Sequence, residues 1–213
     1  MTMLTKVVPP NLPVAQMDYT RLYQEQFNNV LRLYFSRLNE DVNAVIGLSG
    51  GRFLQFPYAA IQRTTDKTFT SNTATQITFD QNDYLNACTN DGTDGIAVEY
   101  AGIYNYQFSV QLRNSNTQIH SAWIWLRINN VDVVGTGSKF DVPNSHGGID
   151  GATIAACNFY VELNAGDTVE MWAAVDNVSV TFDTAAAATS PFAMPAIPSV
   201  VATLSFVSTL PAV

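Results

Sequence analysis

Short segments in which apolar and polar residues alternate recur between residues 75 and 206, and they restrict the fold more than any other feature. Because successive side chains of a β-strand point to opposite faces, each segment predicts a strand with one face in a core. The segments cover residues 75–80, 96–100, 102–112, 121–129, 154–163 and 168–175, followed by a final strand with Val200, Ala202, Leu204 and Phe206. Turn residues separate them and no second helical pattern intervenes, so we predict an antiparallel sandwich or jelly roll.

Large aromatic residues fall on the outer rows of three of these strands. The alternation places outside Trp123, Trp125, Tyr160 and Trp172, together with the charged Arg127, Glu162 and Glu170. An aromatic centre with a charged rim is typical of a protein–protein interface. We therefore predict that the four aromatic residues form a subunit interface, and that Glu162 and Glu170 are solvated or interfacial.

A second unit precedes the strands. Residues 1–17 contain Pro9, Pro10 and Pro13 and predict an extended arm. Asp18 is placed to cap a helix from Tyr19 to Ile46. One face of this helix is apolar, and its residues are Tyr23, Phe27, Leu31, Tyr34, Leu38, Val42 and Val45. So broad an apolar face predicts packing on other helices or on another protein, with packing on its own domain as the alternative.

Glycines after the helix predict a flexible joint, which divides the chain into an arm and anchoring or oligomerisation helix (residues 1–51) and a β domain (residues 52–213).

Composition excludes several classes of function. The net charge is −8 and only 13% of the residues are charged. An acidic chain lacks the basic patches that bind nucleic acid or anionic membranes, so we expect neither partner. Scarce charge also indicates surface hidden in an assembly. Neither a membrane span nor a signal peptide is visible in the sequence, and Cys88 and Cys157 lack metal or redox spacing, so we expect buried thiols and synthesis in a reducing cytoplasm.

No pattern of catalytic or metal-binding residues emerges. Ser145 and His146 are neighbours in the chain, and such side chains diverge rather than form a nucleophile–base pair. Residues 91–95 (DGTDG) loosely resemble a calcium loop, but Gly95 breaks the ligand spacing and a hairpin turn fits better. We therefore predict no catalytic residues, no bound metal and no cofactor.

Three short motifs resemble the C1q/TNF-like jelly roll. They are residues 101–108 (AGIYNYQF), 125–129 (WLRIN) and 163–170 (LNAGDTVE), followed by a closing strand, and the resemblance covers residues 52–213. It implies a homotrimer in which one sheet of each sandwich faces the three-fold axis. The collagen stalk of the secreted members is missing here, and the N-terminal helix stands in its place.

The remaining segments resemble structural proteins of marine tailed bacteriophages, notably cyanophages. They are the arm and helix, residues 56–58 (FPY) and residues 143–148 (PNSHGG). The resemblance implies a virion protein that is made in the host cytoplasm: a trimeric capsid decoration, knob or short fibre, held by its arm and helix on a capsid or tail protein. The alternative is a receptor- or glycan-binding fibre tip, and a depolymerase is a weaker third.

Overall fold

A computed structural model describes residues 10–12, 14, 17–18, 20–46, 56–90, 92–93 and 95–210. The chain divides into two compact units, Met1–Gln55 and Phe56–Val213, and each is described by itself. The predicted boundary between residues 51 and 52 lies outside the described residues. So do the glycine joint and most of the predicted arm.

The first unit contains the helix α1 (Arg21–Ile46). Its N-cap is Thr20, whose hydroxyl oxygen accepts a hydrogen bond from the backbone N–H of Tyr23 at 3.3 Å. The prediction that Asp18 caps the helix is therefore wrong, and the predicted first residue, Tyr19, lies outside the described residues.

The predicted apolar face of α1 is half-buried in its first part and exposed in its last part. The half-buried residues are Tyr23, Phe27, Leu31 and Tyr34, and the exposed residues are Leu38, Val42 and Val45. The rings of Tyr23 and Phe27 stack with their centroids 6.4 Å apart. This arrangement leaves apolar side chains open along about two turns of the helix.

The second unit is a sandwich of antiparallel strands. In chain order they are β1 (Tyr58–Arg63), β2 (Thr75–Ile77), β3 (Gln81–Asn86), β4 (Cys88–Thr89), β5 (Ile96–Val98), β6 (Gly102–Asn114), β7 (His120–Ile128), β8 (Val131–Asp132), β9 (Ser138–Val142), β10 (Gly151–Leu163), β11 (Thr168–Val175), β12 (Val180–Phe182) and β13 (Val200–Ser208). The predicted mainly-β jelly-roll sandwich preceded by a helix is confirmed.

Two sheets form the sandwich. The six-stranded sheet runs β10-β6-β13-β1-β3, with β12 also paired to β6. The seven-stranded sheet runs β4-β5-β11-β7-β8, with β2 on β11 and β9 on β7. Strand β13 lies between β6 and β1, so residues far apart in the chain meet at the centre of the six-stranded sheet.

The core between the sheets follows the alternation in the sequence. In β6 the inward residues Tyr104, Tyr106, Phe108, Val110 and Leu112 are all buried. The inward rows of β7 and β11 are buried as well, among them Ile124, Leu126 and Met171. Both cysteines are free, and burial raises the pKa of the Cys88 thiol to about 11, as suits a structural thiol rather than a reactive one.

A tight turn joins β7 to β8. Asn129 and Asn130, predicted as a turn, have φ angles of 50° and 66°. Two successive residues in the left-handed region are typical of the type I′ hairpin turn, which asparagine tolerates. The turn brings Asp132 back beside the outer face of β7, where it pairs with Arg127 in register.

Among the described residues, no helix is both long enough and apolar enough to cross a membrane.

Candidate interaction surfaces

The three tryptophans lie on the outer face of the seven-stranded sheet. Trp125 and Trp172 are direct cross-strand partners on β7 and β11, and Trp123 lies two residues before Trp125. With Arg127 and Glu170 they form a surface that we call the indole face. All three indoles are half-buried, although no second chain is present to cover them.

Asp132 holds one side of the indole face together. Its carboxylate accepts hydrogen bonds from Trp125 Nε1 at 2.7 Å and from Arg127 Nε at 2.6 Å. The hydrogen bond from Arg127, reinforced by that from Trp125, holds the pKa of the Asp132 carboxyl below its ordinary value. Asp132 therefore stays ionised and fixes both partners against the sheet.

Glu170 holds the other side and is buried, at 2% exposure. Its carboxylate accepts hydrogen bonds from the backbone N–H of Asn130 and from Trp172 Nε1, both at 2.7 Å. The expectation that Glu170 is solvated or interfacial is therefore wrong. The reason is that the β7–β8 turn brings a donor over it from a distant part of the sequence, and an indole supplies the second donor.

Cations cover the faces of the indole rings. The guanidinium carbon of Arg127 lies 3.9 Å from the ring centroid of Trp172 and 5.9 Å from that of Trp125. Lys139 Nζ lies 5.8 Å from the ring of Trp123 and pairs with Asp141 at 2.8 Å. These cation–π contacts come from the same chain. The indole face is thus already covered by its own polar groups.

Tyr160 lies on a different sheet from the tryptophans. It is an outward residue of β10, at the edge of the six-stranded sheet, and is 68% exposed. The structure therefore brings together three of the four predicted interface residues and separates the fourth. Their burial between subunits stays a prediction, but the four cannot form one continuous patch.

The outer face of the six-stranded sheet has a different composition. Direct cross-strand partners share a face, so the register across β10, β6, β13 and β1 identifies its outward residues. They are Ile154, Ala156, Asn158 and Tyr160; Asn105, Gln107, Ser109 and Gln111; Val201, Thr203 and Ser205; and Tyr58, Ala60 and Gln62. None of these residues is charged, and we call this surface the neutral face.

Side-chain amides on the neutral face bond to one another. Asn105, although it points outward, is buried at 9% exposure. Its Nδ2 donates to Asn158 Oδ1, and its Oδ1 accepts a hydrogen bond from Gln107 Nε2 at 2.7 Å. The amides are thereby satisfied without charge and lie flat on the sheet, which lowers the cost of desolvating them on contact.

A shallow groove of about 500 Å³ crosses the middle of the neutral face. Its lining residues are Gln107, Phe108, Ser109, Ala156, Cys157, Asn158, Val201 and Thr203. The groove arises because Ser109 and Ala156, which are opposite each other in register, are small. It is uncharged throughout and large enough for an aromatic side chain.

Charges border the neutral face without entering it. Arg113 forms ion pairs with Asp183 at 2.6 Å and with Asp150 at 2.5 Å beyond one end. Glu162 follows Tyr160 on β10 at the other end, and the Asp83 carboxylate on β3 accepts hydrogen bonds from Gln62 and Gln81 at the side. The surface is therefore a neutral area with a charged margin, as interface cores commonly are.

A hairpin connects β12 to β13 at the edge of the neutral face. Ala185 and Ile197 exchange backbone hydrogen bonds at 2.8 and 3.0 Å, and Ala188 and Met194 do so at 2.9 and 3.1 Å. We call residues 185–197 the apolar hairpin. The sequence predicts residues 189–198 to be a proline-rich loop outside any central strand, and the structure confirms this while adding the paired arms.

The residues considered for chemistry serve the loops. The Ser145 hydroxyl donates to the carbonyl oxygen of Ser115 at 3.2 Å, and His146 exchanges backbone hydrogen bonds with Ile149. Asp91 and Asp94 of the calcium-like segment lie outside the described residues. Within the described ranges, no group of three or more His, Cys, Asp or Glu side chains is placed to hold a metal ion.

Sequence reasoning missed the neutral face. The outward residues Asn105, Gln107, Ser109 and Gln111 are visible in the alternation of β6, and their lack of charge was the available signal. A second signal is that residues 184–213 contain no charged residue.

Comparison with known proteins gives one likeness of fold. No protein-family model matches the sequence, and no curated protein matches it. A solved structure of the TNF protein Eiger from S. frugiperda is similar to 74% of this chain and 96% of that chain, with a TM-score of 0.45 and 12% sequence identity.

Proposed function

We propose that this protein is a non-enzymatic structural subunit of a virus particle, which assembles as a homotrimer through its neutral face. The apolar face of α1 attaches the trimer to a capsid or tail protein of a tailed bacteriophage, as a decoration, knob or short fibre. The observation that carries the proposal is an extended, flat, uncharged sheet surface on a strongly acidic chain.

Charge supports association through this surface. The chain has 18 acidic and 10 basic residues, so two copies repel each other in most orientations. Contact through the neutral face buries no charge and leaves the charged residues at the margin. Association through the indole face would instead have to desolvate Arg127, Asp132 and Lys139, which costs free energy unless each finds a new partner.

The motif resemblance to C1q/TNF-like proteins supports three copies, because those proteins turn one sheet of each sandwich toward a three-fold axis. The helix supports attachment, because Leu38, Val42 and Val45 are exposed on one face. Three helices on one trimer also multiply a modest contact with a repeated virion protein.

A single isosteric change tests the neutral face. Gln107→Glu places a carboxylate at its centre in every copy, and the carboxylates would meet without partners. We expect the dissociation constant of the trimer to rise about 100-fold, measured by light scattering after size exclusion. The matched control is Gln76→Glu, because Gln76 lies on the outer face of the other sheet, opposite Trp172.

The wild-type protein should have three times the 23.3-kDa mass of the chain, and Gln76→Glu should match it. A monomeric wild type, or a Gln107→Glu variant as tightly associated as the control, would contradict the proposal.

Removal of residues 1–46 tests attachment separately. We expect the remaining sandwich to keep its trimer mass and to disappear from purified particles, which immunoblotting of gradient fractions measures. Retention of the truncated protein on particles at wild-type copy number would show that the helix is not the attachment.

One observation favours the alternative, a glycan-binding tip. Tyr160 and Tyr84 are exposed aromatic rings that could stack on sugar. Protection of these tyrosines from nitration by a host polysaccharide, in a protein that remains trimeric, would favour that alternative.

A further inference from the structure

The apolar hairpin is built as a preformed arm. Its base is fixed where Thr184 donates two hydrogen bonds to Asp66 Oδ1, from its backbone N–H and from its hydroxyl, both at 2.7 Å. The preceding residue, Asp183, pairs with Arg113 at 2.6 Å. These contacts tie the hairpin to distant parts of the chain, so little conformational entropy remains to be lost when its tip makes a contact.

The outer part of this arm is exposed and uncharged. Its exposed residues are Ala186, Ala187, Thr189, Ser190, Pro191, Phe192, Ala193, Pro195 and Ala196. Phe192, at the tip, is 65% exposed. A protruding hairpin of alanine, proline and phenylalanine is an apolar surface that a folded protein normally covers.

The neutral face has the complementary shape. Its groove of about 500 Å³ is uncharged and concave, and the small residues Ser109 and Ala156 lie in its lining. Fully burying a phenylalanine side chain contributes about 1.5 to 3 kcal/mol, so a groove of this size could hold the ring with its proline and alanine neighbours.

We propose that the apolar hairpin of one copy docks on the neutral face of the next copy in the trimer, with Phe192 in the groove between Gln107 and Ala156. The inference rests on the proposed self-association and adds the segment that exchanges between subunits. Such a contact is head-to-tail, and three of them close into a ring.

Matching lack of charge identifies a second copy as the occupant. On a chain of net charge −8, the hairpin and the neutral face are both uncharged, and each lacks the groups that an acidic or basic partner would need. The two surfaces are also continuous. Hairpin residues Ala185 and Ile197 and the neutral-face residue Gln62 line one depression of about 330 Å³, so a neighbour seated on one surface reaches the other.

Disulfide trapping tests the contact between chains. One tagged pool carries Phe192→Cys, a second carries Gln107→Cys, and the pools are mixed, allowed to exchange subunits and oxidised with copper phenanthroline. We expect a cross-linked dimer that contains both tags. Val134→Cys mixed with Gln107→Cys is the matched control, because Val134 is exposed after β8 on the other sheet. The native cysteines are covered by an oxidised wild-type sample.

A charge at the tip tests the energy. Phe192→Asp should raise the dissociation constant of the trimer about 30-fold, the size of an interface hot spot, whereas Val134→Asp should leave it unchanged. If Gln107→Glu dissociates the trimer but Phe192→Asp does not, and no mixed cross-link exceeds the control, the hairpin inference is wrong and the proposed function stands. A hairpin that serves a different protein gives this same result. A monomeric wild type overturns both.

Discussion

The two outer faces of the sandwich solve the same problem in different ways. The indole face carries the larger apolar side chains, yet Asp132, Glu170, Arg127 and Lys139 of the same chain cover the rings and occupy the indole N–H groups. The neutral face has few aromatic residues, but no charge protects it. The difference teaches that ring size on an outer row is a poor guide to an interface, because what matters is whether local polar groups already cover the ring.

The largest effect should come from removing the two paired indoles. With Trp125→Ser and Trp172→Ser combined, we expect the free energy of unfolding to fall by about 3 kcal/mol, since ring burial and the Arg127 contacts are lost. Urea unfolding measures the loss, and light scattering should show an unchanged oligomer mass. A monomer of unaltered stability would break the comparison and restore the interface predicted from the sequence.

A smaller effect is expected from Asp132. Because its folded pKa lies below the ordinary value, its contribution to stability is present above the unfolded pKa and is lost as the pH falls through the folded value. Asp132→Asn should therefore destabilise the protein near neutrality and flatten the acid limb of the stability curve below about pH 4.

Tryptophan fluorescence during acid unfolding measures this change, since Trp125 loses a charged acceptor. Glu162→Gln, an exposed carboxylate on β10, is the control and should leave the curve as it is. An acid limb of Asp132→Asn that matches the wild type would show that the Arg127–Trp125 arrangement does not depend on this carboxylate.

The sequence predicts the strands that have one clearly apolar row. β11 occurs over the predicted residues, and β6 and β10 extend their predictions by a few residues. β3 (QNDYLN) and β9 (SKFDV) are missed because edge strands with polar residues on both rows lack the alternation. Cross-strand pairing forms them, and no local pattern encodes that pairing.

The candidate surfaces were harder to predict than the fold. The alternation correctly places Trp125 and Trp172 outside, but it does not reveal that the Asn130 backbone meets the Glu170 carboxylate. Nor does it reveal which sheet a strand joins, so Tyr160 was grouped with the tryptophans. Both errors concern long-range geometry, which depends on topology rather than on residue type.

The position of β13 has a consequence for the order of folding. Strands β1 and β6 must wait for residues 200–208, which fill the gap between them, and closing so long a loop is entropically slow. Until that insertion, the sheet that carries the neutral face is split in two. The adhesive surface thus comes into existence at the last step of maturation, so a half-made molecule has nothing with which to recruit its siblings.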